Sequence, residues 1–436
     1  MPGDTALGVN EAVSKKPRKP SPNAGGDISG QCNSTATGLR YPVVPSILNV
    51  YAVMPSVVML KAVKVRIYPT AEQADWLNRQ FGSVRFVYNA GLRIMSHRYK
   101  RHGQSLNARH DIKKLLPVAK KSRKYGWLTE SDSIALQQAC LHLDQAFQRF
   151  FDPKQKAGYP RFKSKRGRQS SYHCVGVNSG DNWIRVPKIK AIKARIHRPM
   201  DGKLKSITLS RTVTGKHYAA LLFETEQAAP APLKAVDAAG VVGLDMGLSH
   251  LAIDSNGHKI ANPRFLKQAQ RNLKRKQQAL SRKQKGSANR AKARLLVARA
   301  HERVVNARKD FQHKLSRQIV DDNQAVIVET LKVKNMMKNA RLARHIGDAS
   351  WHALIEKLAY KAEEKGKHLV KLDQWFPGSK TCHVCQHKSD TMLLNIRSWA
   401  CPACHTRHDR DINAALNIKH QGIVQLKTAG LSVSAH

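Results

Sequence analysis

Four cysteines form two C-x2-C pairs, Cys382 with Cys385 and Cys401 with Cys404, and residues 386–400 lie between them. Four thiolates in paired knuckles suit tetrahedral Zn2+ with no open position, so the chemistry they suggest is structural. Such an ion supplies on the order of 10–16 kcal/mol of apparent binding free energy to a segment too short to hold its own core. A redox dithiol is the alternative reading. His383, His387, His405 and His408 lie close by, but the four cysteines already satisfy a zinc, so these histidines are expected to face nucleic acid or solvent. A second set is acidic: Asp245 in VVGLDMG, Glu329 in AVIVETL and Asp411 in HDRDINAALNI. Each stands where an apolar segment meets a turn or a helix start, a position that projects a side chain into a cleft. Carboxylates of this kind hold Mg2+ or Mn2+, and two such ions about 3.5–4 Å apart stabilise the attacking and leaving oxygens of phosphodiester hydrolysis. Gly243 and Gly247 flank Asp245 and allow close backbone approach. Taken singly, each acid also reads as a cap or an ion-pair partner; Asp409 suits the N-cap of the helix that follows.

The charge balance names the partner class. The 436 residues carry 76 Lys+Arg against 30 Asp+Glu, a formal +46, which repels itself unless a polyanion neutralises it. Hydrophobic content of 41% is enough for real cores. There is no P-loop pattern and no His-x-His pair, which argues against ATP hydrolysis and against a His-His metal nuclease. Aromatics are only 6%, leaving few stacking platforms and making backbone charge the main binding term. The most apolar run, residues 43–59, contains Pro45 and Pro55 and is shorter than the ~20 residues of a spanning helix. Without that span or a secretory pattern, the expected location is cytoplasmic and nucleoid-associated, without disulfides.

Stepping along the chain, residues 1–58 are expected to be a disordered leader. Val63, Val65 and Ile67 alternate with Lys64 and Arg66, the period of a half-buried strand. Helical spacing follows over 71–98 and 134–151, then a basic loop at 158–171 and a hairpin turning at Thr214 and Gly215. Residues 227–240 (QAAPAPLKAVDAAG) read as a linker and main boundary. Beyond it come two short apolar strands and a long basic helical stretch, 264–319, broken near Gly286, with only Glu302 and Asp310 as acids. The strand AVIVE, the helix WHALIEKLAYKAEEK, the strand KHLVKLD, the cysteine module and a last helix near Asp411 complete a multidomain α/β pattern.

The order KVRIYPT, RFVYN, GYPRFKSKR, GLDMG, the basic helical hairpin, VIVETLKVKNMMKN, FPGSKTCHVC and WACPACHTRHDRDINAALNI closely resembles the TnpB family over residues 59–420. That family comprises transposon-encoded RNA-guided DNA endonucleases related to type V CRISPR effectors. The resemblance implies a β-barrel (wedge) domain over 59–226 with an inserted helical recognition bundle at about 70–155. It further implies an RNase H-like (RuvC) nuclease domain over 241–420, interrupted by a zinc ribbon at 378–408, with 421–436 as a flexible tail. By carry-over, Asp245, Glu329 and Asp411, rather than Asp409, are the Mg2+-binding catalytic acids, and Cys382, Cys385, Cys401 and Cys404 hold Zn2+. The implied partners are a guide RNA from the transposon end and double-stranded DNA carrying a short flanking motif. A non-cleaving RNA/DNA-binding regulator of the same fold is the alternative.

Overall fold

A computed structural model describes residues 58–434, except 156, 166, 168, 199, 200, 229, 390, 391 and 393–395. The leader expected over 1–58 therefore lies, but for its last residue, outside the described residues. The first strand, β1 (Val58–Tyr68), buries Val65 and Ile67 while Lys64 stays exposed, as its alternation predicts. Pro69 ends it, and Thr70 opens α1 (Ala71–His102) with a capping box closed by Gln73. α2 (Lys113–Lys121) and α3 (Ser133–Phe151) follow. α1 and α3 share one core, in which Leu77, Phe81, Val84, Tyr88 and Leu92 meet Leu136, Cys140 and Leu143. The chain then builds β2 (Gln169–Cys174), β3 (Asn178–Ser179), β4 (Trp183–Arg185), β5 (Ile192–Arg195), β6 (Lys203–Thr212) and β7 (His217–Ala228). With β1 these form a seven-stranded antiparallel sheet, ordered β2-β6-β7-β1-β5-β4-β3. Its ends, β2 and β3, share no ladder among the described residues. The β6–β7 turn at Gly215 (φ 83°) is the expected hairpin.

The remaining elements are β8 (Ala235–Asp237), β9 (Val241–Met246), β10 (His250–Asp254), β11 (Lys259–Ala261), α4 (Phe265–Ser281), α5 (Ala288–Asp322) and β12 (Ala325–Val328). After them come α6 (Val333–Met336), α7 (Ala343–Ala349), α8 (Trp351–Glu364), β13 (His368–Lys371), β14 (Ser398–Ala400), β15 (Arg407–Asp409), α9 (Arg410–Thr428) and β16 (Ser432–Ser434). A five-stranded sheet runs β11-β10-β9-β12-β13; β9 is antiparallel to β10 and parallel to β12, which is parallel to β13. Its central strands are continuous apolar runs because both faces are covered. Val242, Leu244, Val326 and Val328 pack with α5 and α8 through Ile319, Val320, Leu354 and Leu358, whereas Val241, Ala325 and Ile327 pack with α9 through Ile418 and Leu426.

The basic stretch splits into α4 and α5 around Gly286 (φ 93°). Leu273, Ala300, Val304 and Ile319 are buried along it, while Lys274, Arg275, Lys283 and Arg294 remain exposed. α4 has no cap of its own, since Arg264 precedes it in a left-handed conformation. Asp348, at the end of α7, supplies one from 82 residues away: it accepts the Leu266 N–H at 3.0 Å and pairs with Arg308 of α5 at 2.6 Å. Glu302 of α5 accepts from Thr214 and Lys216, joining α5 to the β6–β7 turn.

Two boundaries need correction. The 227–240 stretch is no free linker, because Leu233 N–H bonds to Gly366 O and β8 pairs in parallel with β16. The 421–436 tail is likewise ordered as far as Ser434: α9 runs on to Thr428 because Leu426 is core, and β16 then finds β8. Among the described residues no helix is long and apolar enough to cross a membrane.

Candidate active site and metal centre

Strand register sets the first two acids side by side. Leu244 of β9 is level with Val328 of β12, so the next residues, Asp245 and Glu329, emerge together at the carboxyl edge, and Met246 N–H donates to Glu329 Oε1 at 3.3 Å. Ligand clefts of open α/β sheets form at such edges. The third acid arrives on α9. Asp409 caps that helix, accepting from Asp411 N–H and Ile412 N–H, which leaves Asp411 free of the capping role. α9 lies unusually close on the sheet because two glycines permit it. A Cβ on Gly243 would fall 2.2 Å from Ala415 O, and one on Gly422 would fall 2.4 Å from Ile327 Cγ1.

Asp245, Glu329 and Asp411 are each half-buried. Burial pushes Asp245 up, the carboxylates of Glu329 and Asp411 push it further, and Arg410 and Arg397 pull back only in part; the result is about 8. Burial also raises Glu329, against the Met246 N–H that favours its charged form. For Asp409, burial is outweighed by Lys259 and the two capping amides, so that carboxyl sits below its ordinary value. A buried carboxyl raised further by two neighbouring carboxylates belongs to a set of hard oxygen donors of the kind that suits a divalent cation. Arg397 pairs with Asp411 at 3.2 Å. Arg397 was not singled out from the sequence; it is one arginine in a basic chain, and only its contact marks it.

The four cysteine sulfurs all lie within 4.8 Å of one another, with Cys382–Cys404 at 3.6 Å and Cys385–Cys401 at 3.5 Å. Sulfurs bound at about 2.3 Å around a tetrahedral zinc stand roughly 3.8 Å apart, so the cluster fits that ion. His408 corrects one expectation. It is 4% exposed, with Nε2 3.1 Å from Cys382 Sγ, because the β14–β15 pairing turns it inward beside Trp399. It neighbours the sulfur instead of facing nucleic acid or solvent. Two further residues went unassigned from the sequence. Asn413 and Asn417, one turn apart on α9 and both buried, hold the first cysteine knuckle: Asn413 accepts His383 N–H at 3.0 Å, and both side-chain amides donate to Thr381 O. Their i, i+4 spacing between alanines was the available signal.

A protein of Streptomyces pristinaespiralis named "Putative RNA-guided DNA endonuclease" is 40% identical over 369 residues, covering 83% of this chain and 89% of that protein. The chain belongs to the TnpB family. Family profiles agree: one described as "Probable transposase" matches residues 223–340, "Cas12f1-like, TNB domain" matches 351–418, and "Helix-turn-helix domain" matches 59–104, which here form β1 and α1. Another TnpB-type relative, "Putative RNA-guided DNA endonuclease InsQ" of Escherichia coli, is 29% identical, covering 83% of this chain and 92% of that one. The solved Cas12f1-sgRNA-target DNA complex aligns at 13% identity over 83% of this chain and 99% of that one, with a TM-score of 0.44; no assignment in this TnpB protein rests on it.

Proposed function

We propose that this protein is an RNA-guided, divalent-metal-dependent DNA endonuclease of a transposable element, cutting double-stranded DNA beside a short flanking motif. The observation that carries the reading is the gathering of Asp245, Glu329 and Asp411 beside one sheet edge, where burial first and the neighbouring carboxylates second raise Asp245 to about 8 inside a chain of net charge +46. The names of the family relatives support it. So does the strand order of the five-stranded sheet, which suits an RNase H-like (RuvC) domain. Asp245, Glu329 and Asp411 would hold Mg2+ or Mn2+, which when bound supplies charge neutralisation at the attacking and leaving oxygens of phosphodiester hydrolysis. Arg397 keeps Asp411 at the cleft and offers a guanidinium to a phosphate there. The exposed cations of α4 and α5 supply backbone grip, and the seven-stranded sheet with α1–α3 is the surface for the heteroduplex and the flanking motif. Guide pairing supplies the sequence choice, with the RNA drawn from the transposon end. The cysteine cluster would carry a structural Zn2+.

The test is Mg2+-dependent cleavage of a plasmid matched to the RNA that co-purifies with the protein. Asp245→Ala is expected to abolish cutting while leaving RNA content unchanged. Cutting that survives the substitution removes Asp245 from the mechanism.

A further inference from the structure

Trp375 is the most exposed large apolar side chain among the described residues, at 76%. It stands on the loop leaving β13, and Lys371 of β13 is level with Val328, so Leu372 is level with Glu329 and Trp375 lies three residues past the acidic edge. The loop is fixed at several points. Thr330 Oγ1 donates to Leu372 O at 2.6 Å, Asp373 Oδ1 accepts the Trp375 N–H at 2.8 Å, and Phe376 packs into the core with Leu372 and Ile418. Lys332, three residues after Glu329, places its ammonium 4.8 Å from the indole centroid. A hydrogen-bonded turn thus holds an exposed indole with a cation beside it, in the loop that follows the position level with Glu329. That pairing complements a nucleotide: a π face for the base and a positive charge for its phosphate.

We propose that Trp375 is a stacking platform for an unpaired base of the strand delivered to Asp245, Glu329 and Asp411, with Lys332 contacting the adjoining phosphate. The proposal rests on the cleavage reading given for those acids. Base stacking on an aromatic side chain is tolerant of sequence, so the platform sets where a melted strand lies without choosing it. It also revises the expectation, drawn from the low aromatic content, that backbone charge does nearly all the binding.

The test uses the full chain purified with its bound RNA, on guide-matched DNA with and without a premelted bubble at the cut position. Trp375→Leu keeps apolar bulk and removes the π face; it is expected to lower the cleavage rate about 10- to 100-fold, by the usual worth of one stacked base, without changing RNA content or Tm. Trp375→Tyr is expected to stay within a few-fold of wild type. A 2-aminopurine at the cut position should be quenched by wild type and by the Tyr variant, and not by the Leu variant. Wild-type cleavage by Trp375→Leu, or equal impairment of the Tyr and Leu variants, overturns the proposal. Asp245→Ala, run alongside, separates the two ideas: its inactivity with a fully active Trp375→Leu removes the platform alone, and its activity removes the cleavage site together with the platform.

Discussion

Replacing Asp245 with Asn keeps the shape of the side chain and deletes its charge. The folded protein holds this carboxyl at about 8 instead of 3.8, through burial first and the charges of Glu329 and Asp411 second. Because the folded value lies above the unfolded one, stability from this group is intact below the unfolded value and is lost as pH climbs through about 8. At about 1.36 kcal/mol per unit, a shift of roughly four units sets a ceiling near 5–6 kcal/mol. Asp245 is only half-buried and Arg410 and Arg397 are nearby, so screening reduces the expected effect to on the order of 1–2 kcal/mol. In chelator at about pH 8, Asp245→Asn should therefore melt higher than wild type by about 2–8 °C, taking about 2–4 °C per kcal/mol for a domain of this size. The gap should shrink at about pH 5.5, where the wild-type carboxyl is protonated. Mg2+ should raise the melting temperature of wild type and barely move that of the variant, which should not cleave. A variant equal to or less stable than wild type in chelator at high pH would refute the reasoning, because the ionised Asp245 would then not be destabilised by burial and its acidic neighbours.

Gly243→Ala puts a methyl 2.2 Å from Ala415 O, so α9 must move; a stability loss of about 1–3 kcal/mol in denaturant titrations and a cleavage loss larger than the unfolded fraction explains are expected. Cys382→Ser, or zinc chelation, should lower cleavage together with metal content, since the same knuckle anchors Asn413 and Asn417; proteolysis within 378–409 should rise in step. Asp348→Ala removes the external cap of α4 and leaves Arg308 without that partner; about 2–3 kcal/mol is expected, seen as faster amide exchange at the start of α4.

What was legible in the sequence was local. The two-residue period of β1, the helical spacing of α3, the break at Gly286 and the cap at Asp409 each depend on residues within one turn or one strand of each other. The positions of Asp245 and Glu329 at strand ends were legible for the same reason: a run of apolar residues stops there. What escaped depended on contacts made across long separations. The pairing of β8 with β16 joins short segments nearly 200 residues apart, and neither carries a pattern that names the other. Asp348 reads as an ordinary acid until Leu266 and Arg308 are brought to it. The inward turn of His408 is set by its cross-strand partner Trp399, which spacing around the cysteines does not encode.

The three acids are not held with equal stiffness. Asp245 and Glu329 leave adjacent strands of one ladder, and their separation is set by the register between Leu244 and Val328. Asp411 is placed by a helix, and that helix is located by three separate contacts: Gly243 and Gly422 against the sheet, Asn413 and Asn417 against the cysteine knuckle, and Asp409 against Lys259. Small errors in any of these move Asp411 without disturbing the other two. The geometry of the proposed cation site would therefore be decided mainly by α9, and α9 is in turn tied to the cysteine cluster. A metal held by the four cysteines, which lie in sequence between β13 and α9, would thus do more than hold a short segment together: it would help to fix the one carboxylate that the strand ladder cannot.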